Sequence, residues 1–203
     1  MKTLIKLFFL IVIIHVFFAG CSETSEDELD TTIATAPITT EVTSITTPTN
    51  DSTPNYTFSS TEAGTITYGG SCSSSTTIAI SGNNTITLNT LSEGTYSNCK
   101  IIVTDSAGNL SNTLTITSFI VDSTAPVIEQ VTVVTTPTDD TTPDYTFSSD
   151  EAGTITYGGS CSSSTTIAIS GNNTITFNAL ANGTYENCTI TVTDNSVNRG
   201  KDE

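Results

Sequence analysis

Residues 63–87 read AGTITYGGSCSSSTTIAISGNNTIT, and residues 152–176 repeat the same letters without a change. The likeness extends to residues 48–106 and 137–195, which are offset by 89 positions and are identical at 47 of 59. Self-similarity at a fixed period marks two copies of one structural unit. Such copies more often supply length or a repeated binding face than the two halves of a catalytic cycle.

The repeat divides the chain into two predicted domains, residues 35–122 and residues 123–203. Thr-Ala-Pro occurs at 35–37 and again at 124–126, which marks the boundary twice. A unit this small buries only a modest core and gains from covalent cross-links.

Each unit has the sequence pattern of β-strands. Thr, Ile, Val, Tyr and Phe alternate in short runs between clusters of Gly, Asn, Asp, Ser and Pro. No apolar period of 3.6 residues is long enough for a helix. In the first unit we predict strands at 42–46, 55–59, 64–68, 77–80, 85–88, 96–104 and 113–121. Such a series with a cysteine pair predicts an all-β fold of two tandem immunoglobulin-like β-sandwiches.

The differences between the copies indicate which face of the sixth strand is buried. Cys99, Ile101 and Val103 are kept in the second copy, whereas Lys100 and Ile102 both become Thr. Because alternate residues of a strand point to opposite faces, the kept face is predicted to be the core. The disulfide of Cys99 is then expected to lie between the two sheets.

The five cysteines divide into two equivalent pairs and one remainder. Cys72 and Cys99 recur as Cys161 and Cys188, each pair 27 residues apart, and Cys21 is left over. Zinc is the competing use of paired cysteines, but no C-x₂-C spacing occurs and the only histidine precedes Cys21. We therefore predict one disulfide in each unit, which stabilises a small exported domain by about 2–4 kcal/mol.

The N-terminus has the anatomy of an export signal. Basic residues and the apolar stretch 7–18 precede Phe18-Ala-Gly-Cys21, which resembles the lipobox of bacterial lipoproteins. The resemblance implies a signal peptide at 1–20, a lipid on Cys21 and a membrane anchor, which explains the odd cysteine. Residues 21–34 would then be a disordered, acidic Ser/Thr tether. Plain secretion and a retained anchor are the alternatives, although a spanning helix needs about 20 apolar residues.

Charge and composition limit the partners. The formal net charge is −16, with five basic residues against 21 acids, so a nucleic-acid partner is excluded. The chain has no Trp to stack on a sugar. A protein or glycan ligand stays open as an alternative.

Several motifs together resemble the bacterial immunoglobulin-like repeats of large surface proteins and adhesins. These motifs are TPTNDSTP at 47–54, EAG at 62–64, VTDSAGN at 103–109 and VDSTAP at 121–126. The resemblance implies a non-catalytic protein of the cell envelope, at the outer membrane or cell surface, that acts in adhesion or as a spacer. A carbohydrate- or protein-binding module and a remnant of a longer adhesin are the alternatives.

Residues that could carry catalysis are few. The mature chain would lack His, the usual general base. Glu62 with Asp51 or Asp105 could form the carboxylate pair of a glycosidase. Asp in turns, however, commonly bonds its own backbone. We therefore predict no enzyme activity and no required cofactor.

Calcium is the candidate cofactor, because it binds clusters of carboxylate and carbonyl oxygens. Immunoglobulin topology would place acids of the first unit at one pole and acids of the second unit at the facing pole. The predicted interdomain ligands are Asp51, Glu93, Asp122, Asp150, Glu151 and Asp194. Related adhesin repeats hold Ca²⁺ at such positions. The alternative is that these are solvated turn acids with no bound ion.

The second copy is shorter than the first. The offset aligns Glu203 with Leu114, so the second unit is predicted to lack its last strand. Its sixth strand, 185–193, would be an unpaired sheet edge, which proteins normally avoid. Two explanations stay open: a shortened member of a longer repeat array, or a groove that accepts a strand from a partner.

Overall fold

The computed structural model describes residues 35–202, and the chain from Ala36 onward forms one compact unit. All 16 elements of this part are β-strands, which confirms the predicted all-β fold. None of its elements is a helix long and apolar enough to cross a membrane. The predicted signal peptide, the lipidated Cys21 and the tether lie outside the described residues.

The first module, residues 36–122, contains nine strands. They are β1 (Thr39–Thr43), β2 (Asn55–Ser60), β3 (Gly64–Gly69), β4 (Ile78–Ala79), β5 (Gly82–Thr87), β6 (Gly94–Tyr96), β7 (Lys100–Thr104), β8 (Leu114–Thr115) and β9 (Phe119–Val121). They form the sheets β1-β2-β5, β4-β3-β7-β8 and β6-β9, all with antiparallel pairing.

The second module, residues 123–202, contains seven strands. They are β10 (Ile128–Thr132), β11 (Asp144–Ser149), β12 (Gly153–Gly158), β13 (Ile167–Ala168), β14 (Gly171–Thr176), β15 (Thr189–Thr193) and β16 (Arg199–Asp202). The sheets β10-β11-β14 and β13-β12-β15-β16 repeat those of the first module. Register is kept as well: Asn55 opposes Thr87, and Asp144 opposes Thr176.

Each module has its own hydrophobic core, which is filled from both of its larger sheets. In the first module Tyr56 and Phe58 of β2 meet Ile101 and Val103 of β7, and all four are fully buried. The predicted inner face of the sixth strand is therefore confirmed. A separate cluster around Phe147 fills the second module. Because both modules belong to one compact unit, their independence as domains stays a prediction.

The disulfides Cys72–Cys99 and Cys161–Cys188 are formed as the spacing predicts. Their place differs from the expectation that they would lie between the two sheets. Cys72 follows β3 and Cys99 immediately precedes β7, and these strands are neighbours in one sheet. The bond therefore joins two segments next to neighbouring strands of the same sheet, and Cys72 and Cys99 both belong to the buried core of the first module.

Two predicted strands are each divided in the structure. The segment 96–104 contains the end of β6 and all of β7, and the segment 113–121 contains β8 and β9. In both segments the chain leaves one sheet and enters another. A continuous strand cannot bond to both sheets, so the chain breaks its pairing at 97–99 and at 116–118. Alternation of apolar residues does not reveal such a change of sheet.

The predicted open edge of the sixth strand is wrong. β16 pairs with β15 from Thr193↔Arg199 to Ile190↔Asp202 and covers that edge. Among the described residues, 35–202, the second module has no counterpart of β9. The missing pairing therefore belongs to the place where β6 and β9 meet in the first module.

Candidate functional site

An acidic cluster lies where the two modules meet. Asp122 follows β9, Glu151 lies in the turn between β11 and β12, and Asp194 follows β15. One carboxylate oxygen of each lies within 4.8 Å of those of the other two. Asp194 is buried, while Asp122 and Glu151 are half-buried.

Hydrogen bonds hold Asp122 and Asp194 in place. Asp194 Oδ1 accepts from the backbone N–H of Ser196 at 2.7 Å and of Asn198 at 2.9 Å, so it closes its own turn. The Ser196 hydroxyl donates to Asp122 Oδ2 at 2.8 Å, and the Asn198 side-chain amide donates to the Asp122 carbonyl at 2.8 Å. The turn after β15 is therefore attached to the end of the first module.

Glu151 is the member of the acidic cluster whose carboxyl has a raised pKa. Burial raises the pKa of its carboxyl above the ordinary value, and the nearby charges of Asp122, Asp194, Asp150 and Glu93 raise it further. These like charges favour the protonated form. A divalent cation would relieve the same repulsion by neutralising the charges it binds.

The structure brings three of the six predicted calcium ligands, Asp122, Glu151 and Asp194, within 4.8 Å of one another. Glu151 lies close enough to Asp122, Asp150, Asp194 and Glu93 to feel their charges. Glu93 also accepts hydrogen bonds from the hydroxyls of Thr124 and Ser123, which lower the pKa of its carboxyl.

Asp51, the remaining predicted ligand, is not a member of the acidic cluster. Its Oδ1 accepts from the backbone N–H and the hydroxyl of Thr53, at 2.8 and 3.1 Å. Asp105, a candidate for carboxylate catalysis, likewise closes its own turn by accepting from the N–H groups of Ala107 and Asn109, each at 2.8 Å. Both carboxylates therefore accept hydrogen bonds within their own turns, which is the alternative given in the sequence analysis.

A second feature is a groove of about 740 Å³ in the second module. Its walls combine apolar and polar side chains of several loops and strand ends, including Gln130, Val134, Thr138, Tyr145, Phe177, Leu180, Tyr185, Cys188 and Ile190. The exposed Asp139 and Asp140 also line it, and no Lys or Arg is among the described residues that do so. The sequence predicted an open site in this module but placed it at the edge of β15 where β16 pairs.

Burial differs between equivalent residues of the two modules at this groove. Tyr56 is fully buried and Leu91 is 7% exposed, whereas their counterparts Tyr145 and Leu180 are only half-buried. Cys99 is fully buried and Cys188 is half-buried. The groove is therefore the part of the core that β9 closes in the first module.

Comparison with known proteins leaves the family open. No family model matches the chain, and no curated protein matches it. The resemblance to bacterial immunoglobulin-like repeats stays a prediction from the sequence.

Proposed function

We propose that the chain is a lipid-anchored protein of the cell envelope whose two immunoglobulin-like modules act in adhesion or as a structural spacer, without catalysis. The observation that carries this proposal is the duplication itself. Two modules repeat the same strand registers, and each has its own core and its own disulfide. Repeated modules of this kind extend a protein away from its point of attachment.

Charge and cross-linking fit an exported spacer. The net charge of −16 keeps the surface soluble and self-repelling. The disulfides are suited to an oxidising compartment. We place the protein at the outer membrane or cell surface, with its lipid on Cys21.

The anchor is tested by metabolic labelling with a radioactive fatty acid in a bacterial host. The wild-type chain is expected to take up label and to sediment with membranes. Cys21→Ser is expected to lose both properties, whereas Cys72→Ser is expected to keep the label. Equal labelling of wild type and Cys21→Ser would contradict the anchor.

Adhesion and spacing are separated from ligand recognition by binding measurements on the purified protein. A spacer gives no signal on a glycan array, while a carbohydrate-binding module gives a signal for particular sugars. Adhesion is tested by the attachment of cells that display the chain. Turnover of a glycoside substrate that Glu62→Gln abolishes would contradict the non-catalytic assignment.

A second proposal is that Ca²⁺ binds the acidic cluster and stiffens the junction between the modules. The proximity of Asp122, Glu151 and Asp194 supports it, as does the pKa of Glu151, which burial and then the neighbouring negative charges raise. Extracellular calcium modules commonly have a Kd of about 0.1–1 mM. At 10 mM Ca²⁺ this affinity stabilises the folded state by about 1.4–2.7 kcal/mol.

Thermal unfolding with and without 10 mM Ca²⁺ tests this proposal. The wild type is expected to gain in Tm, and Glu151→Gln is expected to lose most of that gain. Asp51→Asn is the matched control, because Asp51 lies outside the cluster and should leave the gain intact. An equal rise in Tm with 10 mM Mg²⁺, or no rise with Ca²⁺, would contradict a specific calcium site and would indicate that the acids of the cluster are ordinary turn residues.

A further inference from the structure

One sheet edge of each module lacks the features that prevent sheets from pairing with one another. β5 and β14 each have a neighbouring strand on one side, because they end the sheets β1-β2-β5 and β10-β11-β14. Proteins usually protect such edges with charged residues, proline, bulges or very short strands. β5 and β14 are six residues long, pair without a register shift and both read GNNTIT, so they have none of these features.

The other edges of the four larger sheets are protected. β1 and β10 each contain a register shift, and they include Glu41 and Glu129. β4, β8 and β13 have only two residues each. β16 reads RGKD and so includes three charged residues. Among these edges, β5 and β14 are therefore the two that can accept a further strand.

The main-chain groups of two β5 residues point to the open side. The Leu88 N–H donates to the Pro54 carbonyl at 3.1 Å, so these residues are a hydrogen-bonded pair next to the β2–β5 ladder. In an antiparallel ladder such pairs alternate with pairs that exchange no hydrogen bonds. By this alternation the N–H and carbonyl groups of Asn83 and Thr85 point away from β2. Among the described residues, none outside the sheet bonds to them.

The far end of the edge is partly covered. The Ser74 hydroxyl donates to the Thr87 carbonyl at 2.6 Å, and its counterpart Ser163 donates to the Thr176 carbonyl at 2.7 Å. These bonds come from outside the β2 and β11 ladders, which agrees with the direction inferred for the alternate residues of β5. A carbonyl oxygen has two lone pairs, so that of Thr87 can still accept from a partner strand.

Side-chain pairs on the outer face indicate which strand fits at this edge. The Thr87 hydroxyl donates to Asn55 Oδ1 at 2.6 Å, and the hydroxyl oxygens of Thr57 and Thr85 are 2.9 Å apart. β2 therefore presents an Asn-x-Thr pattern to the two threonines of β5. β5 has the same pattern at Asn83 and Thr85. A second β5 that runs antiparallel, with Thr85 opposite Thr85, brings its Asn83 opposite Thr87.

Charge also favours a second copy of the chain as the partner. Residues 63–87 include β3, β4 and β5 and contain no charged residue, although the chain has a net charge of −16. Two copies of so acidic a chain repel each other. They approach with the least repulsion where both surfaces are neutral.

The same segment is kept between the two modules for a reason other than burial. The 12 differences between residues 48–106 and 137–195 all lie outside 63–87, although 16 of these 25 residues are exposed. Other exposed residues differ, since Thr61 and Ser97 become Asp150 and Glu186. Pairing between like edges explains the constancy, because a change in one strand must also fit the identical strand opposite.

Exposed apolar side chains lie beside the edge. Ile78 and Ile80 are 63% and 60% exposed. Asn84 of β5 holds Ile80 by two bonds, with its Oδ1 accepting from the Ile80 N–H at 2.8 Å and its amide donating to the Ile80 carbonyl at 2.9 Å. Apolar groups next to an open edge favour association, because a partner removes them from water.

We propose that two copies of the chain associate through these edges, with β5 or β14 of one copy pairing antiparallel with β5 or β14 of the other. Thr85 lies opposite Thr85 or the equivalent Thr174 of the partner. Like strands then pair about a two-fold axis, which is the commonest symmetry of protein dimers. Because each chain has two such edges, the contact can form more than once and gain avidity. The proposal deepens the adhesive role of the proposed function, on which its cellular consequence rests, by naming another copy of the chain as the partner.

Association is measured by sedimentation velocity of the full chain over a range of concentrations. The wild type is expected to gain mass reversibly as its concentration rises. Thr85→Lys combined with Thr174→Lys is expected to weaken association by about 10-fold or more, because like charges then meet across the paired edges. Thr67→Lys combined with Thr156→Lys is the matched control. It changes the charge equally at exposed residues of the inner strands β3 and β12, and it should associate like the wild type.

Register is tested by disulfide trapping in a Cys21→Ser background, in which an added thiol is the only one outside the two disulfides. Thr85→Cys is expected to give a covalent dimer on mild oxidation. Residues opposite each other in a hydrogen-bonded antiparallel pair have Cα atoms about 5.5 Å apart, a distance that a disulfide can span. Thr67→Cys is the control and is expected to stay monomeric.

Three results in solution would overturn the proposal. They are a wild type that stays monomeric at all concentrations, equal association of the two lysine variants, and equal dimer yields from the two cysteine variants. If the Thr85→Lys chain does not fold, the cysteine variants alone decide the result.

Clumping of cells that display the chain separates this contact from the adhesive function. Wild-type cells are expected to clump, and cells with the edge lysines are expected to stay apart. Edge-dependent association in solution without clumping would contradict adhesion and leave the contact standing. Clumping that survives the edge lysines would support adhesion and overturn the contact.

Discussion

Val197→Gly is expected to stabilise the second module, because Val197 holds a backbone conformation that suits glycine. Its φ is 73°, and the equivalent Gly108 of the first module has a φ of 90°. Both turns are closed by the same backbone bonds, such as the N–H of Val197 donating to Asp194 O at 3.3 Å. A β-branched residue with positive φ is strained. The side chain is 62% exposed, so its removal loses little burial.

The magnitude follows from two opposing effects. Left-handed backbone costs an L-residue about 1–2 kcal/mol, and a β-branched side chain lies at the upper end. Glycine also has greater conformational freedom in the unfolded chain, which lowers the stability of the variant by about 0.5–1 kcal/mol. The net gain is then about 1 kcal/mol. It raises Tm by about 4–8 °C if the module unfolds alone, and by about 2–4 °C if both modules unfold together.

Differential scanning calorimetry of wild type and variants measures this gain. Gly108→Val is the reverse change in the first module and is expected to lower Tm. Val127→Gly is the matched control, because Val127 is 57% exposed but has no positive φ. It is expected to destabilise the protein. A fall in Tm for Val197→Gly as large as that for Val127→Gly would refute the strain argument.

Three further changes have defined outcomes. Folding raises the pKa of the Glu151 carboxyl above its ordinary value of 4.5. Above the raised pKa, the ionised carboxylate lowers the stability of the folded state, and below pH 4.5 this loss of stability is absent. Glu151→Gln should therefore raise Tm at pH 7 without calcium, and thermal scans from pH 7 to pH 4 should show the advantage disappear. Gly153→Ala should destabilise the protein by about 1–3 kcal/mol in urea unfolding. The added Cβ would lie 2.5 Å from the Thr193 carbonyl oxygen. Gly183→Ala is the control and should leave stability unchanged, because the space around Gly183 is open. Replacing Cys161 and Cys188 together by Ser should cost about 2–4 kcal/mol in the same assay, and an unchanged midpoint would show that this disulfide contributes nothing to stability.

The candidate sites were predictable only in part. The acidic cluster combines residues from distant parts of the sequence, and topology reasoning named Asp122, Glu151 and Asp194 correctly as neighbours. It also included Asp51, because a position in a loop does not reveal that a carboxylate is engaged by its own turn. The groove was expected beside β15, yet β16 pairs there, and the opening lies beside Tyr185.

Local patterns in the sequence were enough to determine the strand class, the duplication, the buried face of β7 and the pairing of the four cysteines. These properties depend on neighbouring residues or on a comparison of the two copies, and both can be read directly from the chain. Only the tertiary structure decided which sheet each strand joins, and therefore where β6, β9 and β16 pair. Sheet membership depends on hydrogen bonds between distant residues, and alternation of apolar side chains is the same whichever partner a strand takes.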